Sequence, residues 1–235
     1  MRLVIHQPHF LPWMGYFNKL SYADAFVVQD DVNYRKGYFH NRALLLGNDR
    51  AARWLTLPVH HGPSQQTLAA ATYCRGKPLT KALGFVDYVY RKHPFFGDVW
   101  PPLRSQILST SSSVSEMNVA LLRQLLQMLG FELPILHASD LVPRIERTER
   151  LIRISQTLGA TTLIFGEGGA SRCHDVSALQ RSGVEILYQQ FQQHHPVYEQ
   201  PGLERFVGSL SVVDALMSVG PDRTRELIKA AWEPK

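Results

Sequence analysis

The chain has 235 residues, an apolar fraction of 45% and a formal net charge of +5, which suits one globular domain with a sizeable core. It contains no run of 18 apolar residues, so no membrane insertion is predicted. The N-terminus turns polar within six residues, without the pattern of a secretory signal, and the two cysteines, Cys74 and Cys173, form no C-x-x-C pair. These features predict a cytoplasmic protein without a disulfide framework.

Positive charge is concentrated in the first half of the chain. Residues 1–110 hold 13 Lys and Arg against 6 Asp and Glu, whereas residues 111–235 hold 12 against 14. This asymmetry predicts a small anionic or nucleotide-linked substrate, bound mainly by the first half. Nucleic acid is the alternative partner, because the pI is near 9.3. An aminoacyl-tRNA that acts as a co-substrate is one such nucleic acid. No basic run or recognition motif indicates it.

The predicted elements alternate between strand and helix at both ends of the chain. Strands are predicted over residues 2–5 and 25–28 around a helix over 15–23, with extended segments over 37–46 and 53–59. Residues from about 79 to 158 read as a largely helical insertion, and Ser113 and Glu116 have capping-box spacing. A strand over 161–165, a helix over 175–181, a strand over 184–188 and two short helices around Gly220 follow.

This order predicts one domain with an α/β core, formed by about 1–60 and 160–235. Strands that alternate with helices favour a mostly parallel, Rossmann-like sheet.

Polar side chains that a core does not require follow the first two predicted strands. His6, Gln7, His9 and Tyr16 come after the first strand, and a second group follows the next: Asp30, Asp31, Asn33, Tyr34, Lys36, Asn41 and Arg42. Ligands bind at the carboxyl ends of the strands in open α/β sheets, so the two groups are expected to share one pocket. This arrangement predicts that Asp31, Asp30 and His9 are catalytic residues and that the others bind substrate. Among the substrate-binding residues, Lys36 and Arg42 are predicted to pair with the charge of the substrate.

Each of these residues also has a structural interpretation. His6 can be a hydrogen-bonded histidine at a strand end, and Tyr16 can be a core aromatic residue. Asp30 and Asp31 can form a solvated turn, or they can hold Mg²⁺ together with substrate phosphates. No protein metal site is predicted, since the adjacent pairs His60–His61 and His194–His195 lack ligand spacing.

A glycine-containing loop follows the strand over 161–165. Gly166 and Glu167 precede a helix, as phosphate-binding loops do, and are added to the predicted substrate-binding residues. The loop lacks the spacing of a P-loop or a dinucleotide-binding motif. Cys173 beside His174 is a weak candidate nucleophile, because adjacent side chains rarely face each other.

Several blocks of the sequence resemble the WbqC-like family. The opening pattern Q-P-x-[FY]-x-P-[WYF]-x-G-Y-F is present over residues 7–17, and an A-D-x-F-V-x-x-D-D-V-x-Y-x-K block over 23–36 precedes Asn41 and Arg42. Further matches lie over 54–59, at Tyr198 and Gln200, and over 210–216. Genes of this family lie among bacterial surface-polysaccharide clusters. The resemblance therefore implies a transferase that modifies a nucleotide-linked or otherwise anionic aminosugar, for example by amino-acid or acyl transfer.

A remoter resemblance concerns the fold. A strand, a Pro-x-x-Gly-Tyr segment that opens a helix, and a second apolar strand resemble the start of the HIGH-motif nucleotidyltransferases. The two histidines of that motif are not matched, since Trp13 or Met14 stands near the first and Tyr16 replaces the second. A nucleotidyltransferase-like enzyme is therefore an alternative function, and a non-catalytic binding or assembly protein is another. The sequence specifies no cofactor and no oligomeric state.

Overall fold

A computed structural model describes residues 1–63, 65–109, 113–166 and 173–233. Its centre is a five-stranded, all-parallel sheet in the order β5-β2-β1-β6-β7. The strands are β1 (Arg2–His6), β2 (Ala25–Val28), β5 (Ile135–His137), β6 (Thr162–Phe165) and β7 (Glu185–Tyr188). The α/β class and the parallel sheet expected from the sequence are thus confirmed.

Helices cover both faces of the sheet. They are α1 (Met14–Leu20), α2 (Lys77–Tyr90), α3 (Phe96–Ser109), α4 (Val114–Met128), α5 (Ala138–Leu141), α6 (Arg147–Leu158), α7 (Val176–Arg181) and α8 (Val212–Ala231). Along β2, Phe26 and Val28 enter a large core with α1 to α4 and α8, whereas Val27 enters a smaller core with α5 to α7. Burial on both faces explains why the strands are continuous apolar runs.

Two details differ from the expectation that 1–60 and 160–235 form the sheet. The segments β3 (Arg42–Leu46) and β4 (Ala52–Thr56) form a separate antiparallel hairpin. Strand β5, which pairs with β2 at the sheet edge, comes from inside the region expected to be a helical insertion. A three-residue strand is too short for hydrophobic periodicity to reveal it.

The helix termini follow the signals in the sequence. Ser113 and Glu116 form the predicted capping box at the start of α4, with reciprocal hydrogen bonds of 3.1 and 2.9 Å. Gly159 ends α6 in the left-handed conformation. None of the helices in the described residues combines the length and apolar character required to cross a bilayer.

The strand order creates a switch point beside the central strand. From β1 the chain continues to β2 on one side, whereas β6 pairs with the other side of β1. The connections that leave β1 and β6 therefore run in opposite directions and open a crevice at the carboxyl ends of these two strands. His6 ends β1, and Gly166 directly follows β6.

We expect Gly220→Ala and Gly84→Ala to change stability in opposite directions. Gly220 interrupts α8 with φ of +82°, and a Cβ atom there would lie 2.8 Å from the ring of Phe95. Its replacement should lower the free energy of unfolding by about 1–3 kcal/mol. Gly84 lies inside α2 with nothing within 4 Å of its Cβ position, so alanine should raise it by up to about 1 kcal/mol. Urea denaturation of both variants measures the two changes in the free energy of unfolding. Equal changes would contradict the different constraints assigned to Gly220 and Gly84.

Candidate functional site

A cleft of about 560 Å³ lies at the switch point between β1 and β6. One wall comes from the segment after β1 and from α1, and the facing wall comes from Arg42, Leu44 and Trp54 of the β3–β4 hairpin. Gly166, Gln189 and Ser211 border it from the second half of the chain. Its size is in the range of small-ligand pockets, so it is the candidate functional site.

The segment over 7–13 is held in place by tertiary hydrogen bonds. Phe10 N–H donates to the Phe39 carbonyl at 2.8 Å, and Val212 N–H donates to the Pro12 carbonyl at 2.8 Å. Between these anchors, the buried Leu11 has a positive φ of +41°, a conformation that a leucine adopts only when its surroundings impose it. The segment is therefore a rigid wall of the cleft.

Gly15 lets α1 begin directly beneath that wall. The indole of Trp13 lies over it, so a Cβ atom at this position would be 2.5 Å from the ring. The glycine of the Pro-x-x-Gly-Tyr pattern is thus explained by close packing, and Tyr16 follows it on the buried helix.

His6, His9 and Tyr16 form a compact aromatic cluster in the cleft. The ring centroids of His6 and His9 are 4.7 Å apart, and that of Tyr16 lies 5.2 Å from His6 and 5.4 Å from His9. The main-chain carbonyl of Gln7 accepts from the Tyr16 hydroxyl at 2.9 Å and from His6 Nδ1 at 3.0 Å. Because a carbonyl only accepts, Nδ1 of His6 carries a proton and Nε2 of the neutral ring holds the lone pair.

The imidazoles of this region are neutral at physiological pH. Burial, followed by the charge of Lys19, lowers the pKa of His6 to about 3. Burial also lowers the pKa of His9 well below its usual range, and that of His40 to about 4. His40 Nδ1 accepts from the Arg35 N–H at 3.2 Å, and its Nε2 donates to Gln7 Oε1 at 2.7 Å, as a neutral ring requires.

Lys19 brings a buried positive charge to the floor of the cleft. The residue is 6% exposed, and its Nζ lies 5.6 Å from the ring centroid of Tyr16 and beside Gly166. Among the described residues it has no hydrogen-bonded or ion-paired acceptor, and burial lowers its pKa to about 8. At pH 7 the side chain is therefore mostly an ammonium ion, and within the described ranges no acceptor lies opposite it.

Arg42 supplies a second cation from the hairpin. Its guanidinium carbon lies 4.1 Å from the ring centroid of Trp54, and its Nε is buried without an acceptor in the part of the chain that the structure describes. The cleft walls, as far as the described ranges extend, include no carboxylate. Within the described residues, two cations and uncharged imidazoles give the cleft a positive potential.

Only some of the predicted site residues line this cleft. His6, His9, Tyr16, Arg42 and Gly166 do. Gln7 stands behind the wall and accepts from His40, and Asn41 Nδ2 donates to the Leu57 carbonyl at 2.8 Å. Glu167 lies outside the described residues. The cleft thus does not bring together the whole predicted group, and these other residues are absent from its walls: Asp30, Asp31, Asn33, Tyr34 and Lys36.

Both acids at the end of β2 are engaged elsewhere. Asp31 accepts from Arg150 of α6 through both oxygens, at 2.7 and 2.8 Å. Asp30 accepts from the Ser139 hydroxyl at 2.6 Å and from the Ser139 N–H at 3.2 Å, at the start of α5. Because β2 pairs with β5 on its outer side, its carboxyl end faces α5 and α6 instead of the switch point. Within the described ranges, no group of three His, Cys, Asp or Glu residues is placed to hold a metal ion.

The remaining predicted residues lie in the loop after β2. Asn33 Oδ1 accepts from Arg144 at 2.8 Å, Tyr34 packs against the large core, and Lys36 is exposed. The site residues predicted from the sequence did not include three that line the cleft, Lys19, Phe39 and Trp54. Lys19 stands three residues after Tyr16 and therefore on the same helical face, which is the signal that could have identified it.

A profile of the WbqC-like protein family matches residues 7–226 of the chain. A protein of Mycobacterium tuberculosis (strain ATCC 25618 / H37Rv), named "Uncharacterized protein Rv1507c", is 25% identical over 227 residues, which cover 94% of this chain and 95% of that protein. No solved structure matches the chain.

We expect Arg150→Leu to lower the free energy of unfolding by about 3 kcal/mol, since it leaves the largely buried Asp31 carboxylate unpaired. The Arg150 side chain is 4% exposed. Arg153→Leu, on the same helix, removes an exposed pair with Glu149 and should change stability by no more than about 0.5 kcal/mol. Chemical denaturation measures the free energy of unfolding of both variants. Equal losses would show that the Asp31–Arg150 pair adds nothing to stability beyond an exposed ion pair.

Proposed function

This chain is a member of the WbqC-like protein family, and we propose that it is a transferase acting on a nucleotide-linked or otherwise anionic aminosugar in bacterial surface-polysaccharide biosynthesis. The observation that carries the proposal is the presence, in one cleft, of the neutral imidazoles of His6 and His9 and of the Lys19 ammonium, which has no acceptor within the described ranges. The cation binds substrate charge, and an imidazole moves the proton.

Substrate phosphate is the proposed partner of Lys19 and Arg42. Hydrogen bonds between charged groups are shorter and stronger than neutral ones, and they strengthen where water is excluded. Lys19 is buried before the ligand arrives, so its desolvation cost is already met in the folded protein. An anion that reaches it gains the attraction without that cost, which favours phosphate over a neutral sugar.

His6 is the proposed general base. Its Nδ1 proton is committed to the Gln7 carbonyl, so Nε2 is free to accept a proton from the amine or hydroxyl of the acceptor sugar. As that nucleophile forms its bond to the carbonyl carbon of an acyl or aminoacyl donor, the donor's leaving group departs with the bonding electrons. The negative charge of bound phosphate raises the low pKa of His6 toward a useful value.

His9 and the two acids have supporting roles in this proposal. Nε2 of His9 is buried without a partner in the described part of the chain, so His9 is the second candidate for the base. Asp30 and Asp31 position the sheet edge through Ser139 and Arg150. Mg²⁺, where it takes part, would arrive with the substrate phosphates.

Nucleotidyl transfer is the second candidate function. It is favoured by the placement of His6 and His9 at the carboxyl end of the central strand of a parallel sheet, in a cleft that Gly166 also lines. In that reaction the imidazoles would stabilise the charge of the transferring phosphate, most strongly as imidazolium ions. Burial keeps them neutral before the ligand binds, which suits a base better than a permanent cation, so acyl or aminoacyl transfer agrees better with the site. An aminoacyl-tRNA is one donor class that supplies such a group.

We expect Lys19→Met to weaken binding of a sugar–nucleoside diphosphate about tenfold to hundredfold. The diphosphate charge is constant between pH 7 and 9, and an adenine or cytosine base does not lose a proton in this range, so with such a ligand the titration of Lys19 dominates the pH dependence. Because bound phosphate raises the pKa of Lys19 above its free value of about 8, wild-type affinity is flat below pH 8 and falls above it. The variant lacks this fall.

Calorimetry at pH 7 and pH 9 measures both effects. Lys81→Met, which removes an exposed lysine from α2, is the matched control and should bind as the wild type does. Unchanged affinity of the Lys19→Met variant would show that Lys19 does not bind the ligand.

We expect His6→Gln to reduce turnover by roughly 10²–10⁴-fold with little change in substrate affinity, because glutamine cannot accept the proton. A panel of aminosugar acceptors with acyl and aminoacyl donors identifies the reaction, and His9→Gln in parallel decides between the two imidazoles. His60→Gln, at an exposed position outside the cleft, is the control. Full turnover in both cleft variants would exclude imidazole base catalysis, and binding without turnover in the wild type would favour the binding-protein alternative.

A further inference from the structure

The rim of the cleft carries two exposed aromatic side chains. Trp54 of β4 is 44% exposed and Phe39 is 39% exposed, and their ring centroids are 5.7 Å apart. Both line the cleft. Single exposed apolar residues are common, but these two rings meet at an interplanar angle of 63° at the pocket mouth, so a flat ligand can stack on one ring and contact the other.

The hairpin presents an unusual face to the cleft. On β4, Leu55 is buried in the large core, so Trp54 points to the opposite face, where polar residues are expected. Its cross-strand partner is Leu44 of β3. Arg42 lies two residues before Leu44 on β3 and therefore on the same face of the hairpin. All three line the cleft, and the guanidinium covers one side of the indole.

A series of contacts orders the cleft from its floor to its rim. Lys19 contacts Tyr16, which adjoins the His6–His9 pair, and the His9 ring stacks on Phe39 at 5.1 Å with an interplanar angle of 23°. Phe39 in turn contacts Trp54, which lies against Arg42. One cation therefore stands at the buried end of the series and the other at the exposed aromatic end.

We propose that Trp54 and Phe39 are the nucleobase platform of the cleft, so that its substrate is a nucleotide-linked sugar and not a simple sugar phosphate. The base stacks on the exposed ring surface of Trp54, and the phosphates span from Arg42 toward Lys19. The inference rests on the proposed function for the anion-binding role of the same cleft, and it adds which chemical group occupies the rim. Base–aromatic stacking tolerates any base, since every base has a flat π-face.

A nucleobase fits this rim better than a sugar ring does. Sugar hydroxyls donate as well as accept, and carboxylates are the acceptors that satisfy them best. The described part of the rim offers an indole, a phenyl ring and a guanidinium but no carboxylate. The guanidinium over one face of the indole leaves the other face for the base, and it places a positive charge where the first phosphate follows the nucleoside.

The experiment compares binding of uridine, guanosine, adenosine and cytidine diphosphates, N-acetylglucosamine 1-phosphate and inorganic pyrophosphate by calorimetry. We expect at least one nucleoside diphosphate to bind wild type tenfold or more tightly than pyrophosphate. Trp54→Ala should weaken that nucleotide about tenfold to hundredfold and leave pyrophosphate within about twofold. Trp54→Phe should restore part of the loss, which a merely unfolded hairpin would not allow.

Tyr88→Ala is the matched control. Tyr88 is 63% exposed on α2 with the guanidinium of Arg91 5.8 Å from its ring centroid, so it is a similar pair outside the cleft. It should leave nucleotide affinity unchanged. Equal affinity for nucleotides and pyrophosphate, or a larger effect of Trp54→Ala on N-acetylglucosamine 1-phosphate than on nucleotides, would overturn the platform while leaving the anion site intact. If pyrophosphate and every phosphorylated ligand fail to bind, the proposed function falls and the platform falls with it.

Discussion

The main-chain carbonyl of Gln7 is the acceptor on which the arrangement of the cleft depends. It holds the hydroxyl of Tyr16 and Nδ1 of His6 at the same time, so it fixes the tautomer of one ring and the position of the other. The side-chain oxygen of Gln7 is in turn held by His40. The main-chain carbonyl of His40 accepts from Tyr73 and from Asn118 of α4, and Asn118 also donates to Pro8. The loop after β1 is thereby connected to the helical layer, and the positions of the His6 and His9 imidazoles are fixed by these hydrogen bonds.

Burial of the Lys19 ammonium in this cleft opposes folding. The lowered pKa of Lys19 means that the ammonium form is disfavoured in the folded chain. Since the unfolded chain keeps its proton up to about pH 10.5, this destabilisation is greatest below pH 8 and is relieved as the pH rises between these values. A neutral side chain would be more stable here, so a lysine at this place is typical of a functional position.

The two acids after β2 hold the far edge of the sheet. Asp31 and Arg150 are 119 residues apart in sequence and join the end of β2 to α6, while Asp30 joins it to Ser139 and α5. The pair of acids therefore orients the helical layer behind β2, and the cleft at β1 and β6 is built without them. The Asp-Asp block of the family thus has a structural explanation in this chain, whereas the block over residues 7–17 surrounds the cleft.

Much of the local structure follows from the sequence alone. Short apolar runs that alternate with helices predict parallel strands, Ser113 and Glu116 predict a helix start, and Pro8 and Pro12 mark the segment after the first strand that carries His9. Such patterns report period, burial and turn geometry, which depend on neighbouring residues. The short edge strand β5 and the separate β3–β4 hairpin depend on pairing partners that no local pattern specifies.

The position of each polar group was decided only by the tertiary structure. The sequence determined that imidazoles, acids and cations follow the first two strands, but not that β1 opens toward β6 while the end of β2 faces α5 and α6. Strand order alone sends Asp30 and Asp31 away from the imidazoles, and hairpin packing alone brings Trp54 and Arg42 to them. The physical reason is that a side chain's partner is chosen across long sequence separations, by the burial of whole layers, so residues that adjoin in the chain can serve opposite sides of one sheet.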